Sequence, residues 1–518
     1  MNLMCAGGAY PLTVPYTGMS EKIGIIDLGS NTTRLLIIEI LDSGAYRVVE
    51  EAKETIRLAE NMQSDGTIKP PAIDRAVTAI RIFKDICDYN RVDKVYAVAT
   101  AAVRESINGK DVVDTIASEA GVTFRILSRQ EEAFSGYLGV VNTLDIRNAI
   151  LVDLGGGSME ITAVKDRRIM ESISLPYGSV NLTERFLDTD RATESQILTL
   201  ESFLKLKFDS VPWLSNYTGY EMVGIGGTIR TVAKIHQRMA DYPFDHLHNY
   251  SVAADDVSGI YNKIKGMNIQ DRRSVPGLPS DRADIIVAGA CGANTLIKYL
   301  KAPSVRVSSR GLREGVFFEH YIKEQVVEDI TSFSVDNLTG LYGVDRDHAW
   351  QVTRISLALF DRLEQLHGMG ERERRMLYAA SMLHEIGYFY DYRNRLNNTF
   401  YNIVNSTIFG FMHTETYKAA LIAAYYGAGG IKSRNVNGMI SKDELKSLKK
   451  LGVILALSDS LDRTRKGVVS AINCNVQKDT VELKLITGDD PRMELMTAVQ
   501  EAPYFKKAFD RNLVITVQ

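Results

Sequence analysis

The chain has 518 residues, of which 45% are hydrophobic and 24% charged, and this composition excludes a largely disordered protein. Its 61 basic and 64 acidic residues give a net charge of -3, which excludes a global positive field for binding nucleic acid or a membrane surface. We therefore expect several folded domains and, for a polyanion, only a local basic groove.

The cysteines and the apolar runs bear on the cellular compartment. The four cysteines form no CxxC or zinc-binding spacing, so we expect free thiols and a cytoplasmic protein: Cys5, Cys87, Cys291 and Cys474. No apolar run reaches the roughly 20 residues that a membrane-spanning helix needs. Residues 1–18 lack a positively charged start and contain glycine and proline, which predicts a dispensable extension rather than a secretion signal.

The first folded segment is predicted to be rich in strands. Strands are expected over residues 23–27, 34–41 and 46–56, joined by the turns "GSNTT" and "DSG". "PAIDRAVTAIRIFKDICDYN" has apolar residues at helical spacing, and "DKVYAVATAAVRES" is predicted to be a strand that runs into a turn with Arg104. The predicted order is therefore a β-meander followed by a βαβ unit.

A second segment, from Asn148, repeats this order. "AILVDLG" and "EITAVKDRRIMESISLPYG" are predicted strands, and long helical stretches follow them. "EMVGIGGTIRTVAKI" and "SVRVSSRGLREGVFFEHYI" are then each predicted to form a strand, a turn and a helix. Both segments place Asp-Leu-Gly after an apolar strand, with Asp27 in "IGIIDLGSNTTRLL" and Asp153 in "ILVDLGGGSMEI". The repeat predicts a duplicated α/β unit with a cleft between the two halves.

After about residue 325 the pattern changes to amphipathic helices, with Gly368 as one C-terminal stop, and strand-like alternation returns from about Gly467. These changes predict five regions along the chain. They are an extension at 1–18, two α/β domains at 19–145 and 146–320, a helical domain at 321–466 and a small α+β domain at 467–518.

Three glycine-rich turns follow predicted strands, and such turns let backbone N–H groups approach phosphate oxygens because no Cβ intervenes. Their candidate phosphate-binding residues are Gly29, Ser30, Asn31 and Thr32, then Gly155, Gly156, Gly157 and Ser158, and finally Gly226, Gly227 and Thr228. Glycine also ends strands for purely structural reasons. The P-loop motif GxxxxGK(S/T) is not found, and Ile229 stands where the dinucleotide-binding motif GxGxxG requires its last glycine. The sequence therefore excludes a P-loop and a Rossmann-type phosphate site.

Several motifs in this order resemble those of the exopolyphosphatase and guanosine pentaphosphate phosphatase (Ppx/GppA) family of the actin-like ATPase superfamily: "IDLGSNTTRLLI", "ATAAVRES", "QEEAFSGYLGV", "VDLGGGSMEI", "GIGGTIR", "RADIIVAGA" and "GLREGV". The resemblance implies duplicated ribonuclease-H-like halves followed by an HD-like helical domain. It also implies Mg²⁺-dependent cleavage of terminal phosphates from polyphosphate or pppGpp, and a homodimer.

The resemblance implies roles for individual residues. Glu132 matches the general base, whereas its neighbour Glu131 is expected to form a capping box with Ser128. Asp153, Glu160 and Asp27 match the acids that hold Mg²⁺ and position water, a task suited to hard oxygen ligands. Arg104 matches a phosphate-binding arginine, and Arg34 is a weaker candidate because exposed strand arginines are common.

The helical domain contains residues at the positions of HD metal ligands: His348, His384, Glu385 and Asp459. Glu385 replaces the usual aspartate, and Asn397 and Asn398 stand where many members have histidine. Since losing imidazole ligands weakens a dinuclear site, we expect a vestigial site with His384 as a satisfied core or capping residue.

Basic residues cluster in the helical domain and could offer a track for a polyanion, although the sequence favours a solvated helix face as their explanation: Arg372, Arg374, Arg375, Lys432, Arg434, Lys442, Lys446, Lys449 and Lys450. The sequence thus predicts a cytoplasmic exopolyphosphatase that binds no nucleic acid and no membrane. Two alternatives are a pppGpp 5'-phosphohydrolase and a non-catalytic nucleotide-binding regulator.

Overall fold

The computed structural model describes residues 20–60, 62, 65–188, 190–322, 325–425 and 439–517. The predicted extension at 1–18, with Cys5, lies outside the described residues. The chain divides into two compact units, Met1–Glu328 and Asp329–Gln518, called here the N-terminal and C-terminal units. Within the described ranges, none of the helices combines the length and apolar character needed to cross a bilayer.

The first half of the N-terminal unit is built on a sheet with the strand order β3-β2-β1-β4-β5. Its strands are β1 (Glu21–Leu28), β2 (Thr32–Ile40), β3 (Tyr46–Thr55), β4 (Lys94–Ala99) and β5 (Arg125–Ile126). β1 pairs antiparallel with β2 and parallel with β4. The helices are α1 (Pro70–Tyr89), α2 (Ala101–Glu105), α3 (Gly109–Ala120) and α4 (Arg129–Val141). Apolar residues of β1 are buried because both faces of the sheet are covered.

The second half repeats this plan in a sheet with the order β10-β11-β9-β6-β7-β8. Its strands are β6 (Ala149–Leu154), β7 (Met159–Lys165), β8 (Arg168–Leu175), β9 (Glu221–Ile225), β10 (Ser251–Ala253) and β11 (Ser304–Val307). β6 pairs antiparallel with β7 and parallel with β9, just as β1 does with β2 and β4. The predicted duplication and the α/β fold class are confirmed.

Helices surround the second sheet and join the two halves: α5 (Ser179–Phe186), α6 (Glu194–Asp209), α7 (Gly226–Met239), α8 (Ala254–Lys265), α9 (Ile269–Arg273), α10 (Ile286–Leu300) and α11 (Leu312–Tyr321). α4 and α11 cross in backbone contact. A Cβ on Gly139 would lie 2.1 Å from the carbonyl oxygen of Gly311, and one on Gly315 would lie 1.7 Å from that of Ser135. This approach needs glycine, because a methyl group at either position overlaps backbone atoms.

Two local expectations need correction. Arg104 lies in the short helix α2 and not in a turn. The third glycine-rich segment is not a separate turn either, since α7 begins at Gly226 directly after β9. Gly226 has a φ of +86°, a left-handed value that lets the chain change direction within one residue.

The C-terminal unit is mainly helical, with a three-stranded sheet near its end. Its helices are α12 (Ile330–Leu341), α13 (Arg346–Arg362), α14 (Glu364–His367), α15 (Glu371–Leu383), α16 (Arg395–Asn405), α17 (His413–Ala423), α18 (Lys442–Ser460), α19 (Arg492–Ala498) and α20 (Ala502–Phe509). Strands β12 (Val469–Val476), β13 (Thr480–Thr487) and β14 (Asn512–Val517) form the sheet. The predicted helix stop at Gly368 is confirmed, and Gly368 caps α14 in the left-handed conformation.

Candidate active site

A cavity of about 150 Å³ lies in the N-terminal unit, between its two halves. Most of the predicted site residues line it: Asp27, Gly29, Ser30, Asn31, Thr32, Glu132, Asp153, Gly155, Gly156, Ser158, Glu160, Gly226 and Gly227. They come from the strand ends and turns that repeat in the two halves, and from the first turns of α4 and α7. The cleft expected from the duplication therefore gathers residues that are far apart in sequence.

The turns after β1 and β6 have the same geometry. The N–H of Gly29 donates to the carbonyl of Thr32 at 3.2 Å, and the N–H of Gly155 donates to that of Ser158 at 3.0 Å. Each hydrogen bond closes a compact turn directly after the Asp-Leu pair. The two turns thus carry Asp27 and Asp153 into the cavity from matching positions.

The glycines of the second turn have a structural role that the sequence does not reveal. A Cβ on Gly156 would lie 2.9 Å from the Cβ of Asn31, and one on Gly157 would lie 2.7 Å from the Oγ of Ser30. The missing side chains therefore let the two turns approach each other. The close packing of the two turns is thus an observed reason for these glycines. That they also make room for phosphate oxygens remains a prediction.

The third glycine segment packs against charged groups. A Cβ on Gly226 would lie 2.7 Å from Oδ1 of Asp153, and one on Gly227 would overlap the guanidinium of Arg282, at 1.9 Å from Nη2. Substitution at either position would displace a charged side chain that lines the cavity. These glycines therefore preserve the cavity's charged lining.

Buried carboxylates give the cavity its acidic side. Burial raises the pKa of Asp27 to about 6, although Arg313 and Arg34 oppose the shift. Burial also raises the pKa of Asp153, and it raises that of Glu160 well above its ordinary value, with the charges of Glu132 and Asp153 adding to the effect. Ser174 donates to Oε1 of Glu160 at 2.9 Å and so orients this carboxylate.

Glu132 and its neighbour Glu131 have different environments, as expected. Glu131 forms the capping box with Ser128, and its side chain is 46% exposed. The Glu132 side chain is only 12% exposed and faces the cavity. Burial raises the pKa of Glu132 to about 7, against the opposing charge of Arg104. A carboxylate with this pKa is suited to accept a proton near neutral pH.

Four arginines form the basic side of the cavity, and the sequence analysis singled out only the first: Arg34, Arg230, Arg282 and Arg313. Arg34 is not the solvated strand residue considered in the sequence analysis, because it lines the cavity, where burial lowers the pKa of its side chain. Burial and the charges of Arg34, Arg313 and Arg282 lower the pKa of Arg230 to about 9. Arg230 and Arg313 stand in the quoted motifs "GIGGTIR" and "GLREGV", which was the available signal.

Three of the predicted phosphate-binding residues do not line this cavity: Arg104, Gly157 and Thr228. Arg104 forms an ion pair with Glu132 instead. Thr228 is buried and packs closely against Gly289, since a Cβ added to Gly289 would lie 2.7 Å from Oγ1 of Thr228. Gly157 and Arg104 line a neighbouring, more apolar cavity together with Ser174.

The acidic side of the cavity has the oxygen donors that Mg²⁺ prefers. The charge of Asp153 raises the pKa values of Asp27, Glu132 and Glu160, so these acids repel one another. Such repulsion is relieved by a cation. Among the described residues, Asp27, Asp153 and Glu160 form no group with three ligand atoms within 4.8 Å of one another. Mg²⁺ commonly keeps several waters and binds through one or two carboxylates and substrate phosphates, and the carboxylates of this cavity are donors of the type it takes.

The C-terminal unit brings together His348, His384 and Asp459, whose ligand atoms all lie within 4.8 Å of one another. Glu385 lies beside them, but it forms an ion pair with Arg465. His384 was expected to be a satisfied core or capping residue, and one of its two ring nitrogens has a hydrogen-bond partner. Its Nδ1 contacts the carbonyl of Ser381 at 2.7 Å, whereas its buried Nε2 has no hydrogen-bond partner.

Several of the clustered basic residues are engaged locally. Arg372 pairs with Glu415, Arg374 with Asp361 and Lys446 with Asp443. Lys450 donates to the carbonyl of Leu366 at 2.8 Å. Lys432 and Arg434 lie outside the described residues. These contacts favour the alternative of a locally neutralised surface over a polyanion track.

Comparisons with known proteins agree on one family. Residues 37–324 match the model of the Ppx/GppA phosphatase family, and residues 330–494 match that of Ppx/GppA phosphatase, domain III. Exopolyphosphatase 1 of Mycobacterium tuberculosis is 28% identical over 299 residues, which cover 57% of this chain and 87% of that protein. Guanosine-5'-triphosphate,3'-diphosphate pyrophosphatase of Pseudoalteromonas atlantica is 26% identical over 387 residues, which cover 73% of this chain and 74% of that protein.

Two solved structures are similar to part of the chain. The Ppx/GppA family member of Aquifex aeolicus has a TM-score of 0.50 and 28% identity, covering 59% of this chain and 99% of that one. An exopolyphosphatase from Cytophaga hutchinsonii has a TM-score of 0.55 and 24% identity, and the match covers 58% of this chain and 99% of that one. The second likeness shows the shared fold alone.

Proposed function

Because the chain belongs to the Ppx/GppA phosphatase family, we propose that it hydrolyses the terminal phosphoanhydride bonds of inorganic polyphosphate and releases orthophosphate. The observation that carries this proposal is the composition of the cavity. It is lined by Glu132, with a pKa of about 7, and by guanidinium groups such as that of Arg230. Hydrolysis of a phosphoanhydride requires a group that activates water and donors that hold the phosphate oxygens.

We assign the role of general base to Glu132. Its carboxylate accepts a proton from a water molecule that attacks the terminal phosphorus, and the bond to the bridging oxygen of the chain then breaks. The arginines facing the cavity and the N–H groups of the glycine turns hold the nonbridging oxygens, which carry the spread charge of the transition state. The inorganic orthophosphate and a chain shorter by one unit leave the cleft.

We further propose that Asp27, Asp153 and Glu160 hold Mg²⁺ together with the substrate phosphates. Mg²⁺ when bound neutralises charge on the phosphate oxygens. Repulsion between these buried acids supports the assignment, since, after the larger effect of burial, the charge of Asp153 raises the pKa values of Asp27 and Glu160. The buried thiols of Cys87 and Cys291 support a reducing compartment, and we propose a cytoplasmic homodimer.

A pppGpp 5'-phosphohydrolase is the second candidate function. The specific observation in its favour is that the similarity to the guanosine-5'-triphosphate,3'-diphosphate pyrophosphatase extends over 73% of the chain. That reaction needs the same base and phosphate-binding groups and differs in the remainder of the substrate. A non-catalytic regulator is disfavoured, because nucleotide binding alone has no need of a carboxylate poised at a pKa of about 7.

The test compares orthophosphate release from long-chain polyphosphate and from pppGpp, each with Mg²⁺, for the wild type and Glu132→Gln. Removing a positioned base costs about 10²- to 10⁴-fold in rate. Glu131→Gln is the matched control, because glutamine also completes a capping box at the adjacent position. We expect Glu131→Gln to keep near wild-type activity on polyphosphate and Glu132→Gln to lose it. Release from pppGpp alone would favour the second function, and equal activity of both variants would contradict the assignment of the base.

A further inference from the structure

Two partly exposed ion pairs join the two halves of the N-terminal unit. Nζ of Lys53 lies 2.8 Å from Oδ2 of Asp281, and Nη2 of Arg57 lies 3.0 Å from Oδ2 of Asp284. Lys53 belongs to β3 and Arg57 follows that strand, whereas both aspartates lie in the segment before α10. The proposed hydrolysis assigns no role to these four residues, although each pair connects positions 228 or 227 residues apart.

Arg282 stands between the two aspartates in the sequence but lines a different cavity. Its side chain lines the cleft, whereas Asp281 and Asp284 line an open groove together with Arg57. A Cβ on Gly227 would lie 1.9 Å from Nη2 of Arg282, so the guanidinium packs against the start of α7. The segment before α10 thus presents one arginine to the cleft and two carboxylates to the opposite half.

The two aspartates also offset the cost of burying the Arg282 charge. Burial and the charge of Arg34 lower the pKa of the Arg282 guanidinium, and the charges of Asp281 and Asp284 oppose this shift. The aspartates therefore act on Arg282 in two ways. Their charges stabilise its cation, and their ion pairs tie its backbone segment to the first half.

The cation at one end of these pairs is fixed to a turn that lines the cleft. The N–H groups of Ile56 and Arg57 both donate to the carbonyl of Asn31, at 3.0 and 2.9 Å. Nε of Arg75, in α1, donates to the carbonyl of Ile56 at 2.8 Å. Arg57 has a φ of +46°, a left-handed value that is uncommon outside glycine and persists where surrounding contacts hold it. Arg57 therefore reaches Asp284 from a backbone that is anchored beside the phosphate turn.

We propose that Asp281 and Asp284 are positioning residues, which place Arg282 for the phosphate groups of the substrate. Lys53 and Arg57 hold the two aspartates from the opposite half. The inference rests on the proposed function, because it takes the cleft to bind phosphate groups. The turn after β1 and the arginine of the second half are then kept at one spacing by a continuous chain of contacts.

A simple charge effect makes the opposite prediction. If the two ion pairs have no role in positioning, removing an aspartate near the cleft makes the local potential more positive and strengthens the binding of an anion. If the aspartates position Arg282, their removal weakens binding despite the lost negative charge. The sign of the change in affinity therefore distinguishes the two explanations.

The experiment measures the affinity of the full chain for imidodiphosphate with Mg²⁺ by isothermal titration calorimetry, because the bridging N–H group of this probe resists hydrolysis. Asp281→Asn and Asp284→Asn are each expected to weaken binding by about 2- to 5-fold, the range of partly exposed ion pairs. Arg57→Asp is also expected to weaken it, and combining this change with Asp284→Arg reverses the pair and should restore it. Asp245→Asn is the matched control, since Asp245 pairs with Arg238 elsewhere on the surface, and it should not weaken binding.

Several outcomes would overturn the proposal. They are tighter or unchanged binding in a folded variant at either aspartate, a reversed pair that binds as weakly as Arg57→Asp, and a wild type that does not bind imidodiphosphate. Circular dichroism checks the fold, and if one aspartate variant does not fold, the other provides the same test. Because the readout is binding, a wild type that binds the probe but releases no orthophosphate would contradict the proposed phosphatase activity and leave the positioning role standing.

Discussion

The guanidinium of Arg104 forms an ion pair with the carboxylate of Glu132, with 2.5 Å between Nη1 and Oε2. The same nitrogen donates to the carbonyl of Leu127 at 3.0 Å, which anchors the arginine to the backbone before α4. The resemblance implied a phosphate-binding role for Arg104, which stays a prediction, and in this structure the arginine pairs with the proposed base. Burial raises the pKa of Glu132 and Arg104 opposes that rise, so the pair determines where the base titrates.

Removing the charge of Arg104 is therefore expected to shift the pH dependence of the reaction. A base with a pKa of about 7 is ionised only above that pH, so kcat/KM on polyphosphate should rise with pH through about 7. In Arg104→Gln the opposing charge is lost, the pKa of Glu132 rises further, and the rising limb should move to higher pH. The measurement is the pH profile of kcat/KM between pH 5 and 9, spanning about two units on either side of the pKa.

Arg125→Gln is the matched control, since Arg125 pairs with the adjacent Glu131 at the exposed start of the same helix. Its pH profile should coincide with that of the wild type. If Arg104→Gln instead raises KM at all pH values and leaves the rising part of the kcat/KM profile at the same pH, Arg104 binds phosphate and does not set the pKa of Glu132.

Asp27→Asn is expected to stabilise the metal-free protein at pH 8 while abolishing activity. The folded state raises the pKa of Asp27 from 3.8 to about 6, so it binds more protons than the unfolded state between these values. By linkage, the free energy of unfolding of the wild type falls as pH rises from about 4 to 6 and stays reduced above. Replacing the carboxylate with a neutral amide removes this cost.

Thermal unfolding in EDTA measures the effect of Asp27→Asn. We expect the melting temperature to rise by roughly 2 °C at pH 8, which corresponds to about 1 kcal/mol, and the difference to vanish near pH 4. Added Mg²⁺ should stabilise the wild type more than the variant. A lower melting temperature of the variant at pH 8 in EDTA would show that Asp27 is stabilising as a charged group.

Arg230→Gln is expected to weaken substrate binding. Arg34, Arg282 and Arg313 lower the pKa of Arg230 by like-charge repulsion, after the larger effect of burial, so a polyanion relieves a cost already present. Loss of one charged hydrogen bond of about 1.5–3 kcal/mol raises KM for tripolyphosphate by roughly 10- to 100-fold. Steady-state kinetics measure it. Arg238→Gln, on the same helix and paired with Asp245, should leave KM unchanged, and an equal KM in both variants would remove Arg230 from the binding site.

Gly315→Ala is expected to destabilise the protein and to lower kcat. The added Cβ would lie 1.7 Å from the carbonyl oxygen of Ser135, so α11 and α4 must separate, and overpacking of this kind costs about 1–3 kcal/mol. Because Glu132 lies in the first turn of α4, a shift of this helix misplaces the base. Gly136→Ala adds the same methyl group to α4 where a Cβ meets no atom within 4 Å. Urea unfolding and activity assays should separate the two variants, and equal stabilities would show that the crossing tolerates a side chain.

The sequence by itself determined the features whose partners are close along the chain. The capping box of Ser128 and Glu131, the helix end at Gly368 and the repeated Asp-Leu-Gly turns were all predicted, because each depends on contacts within a few residues. Their order also identified the duplicated fold. Local chemistry of this kind leaves a pattern that is recognisable without knowledge of the packing.

Only the tertiary structure decided which charges meet. Arg104 and Glu132 are 28 positions apart, and the arginines of the cavity come from β2, α7, α11 and the segment before α10. The sequence does not show whether an arginine side chain faces solvent or a cleft. Arg34 was therefore only a weaker candidate, and Arg282 was missed. The orientation of His384 likewise depends on its contact with Ser381 and on the position of α18. Burial and pKa are properties of the packed chain, because they depend on which distant groups exclude water.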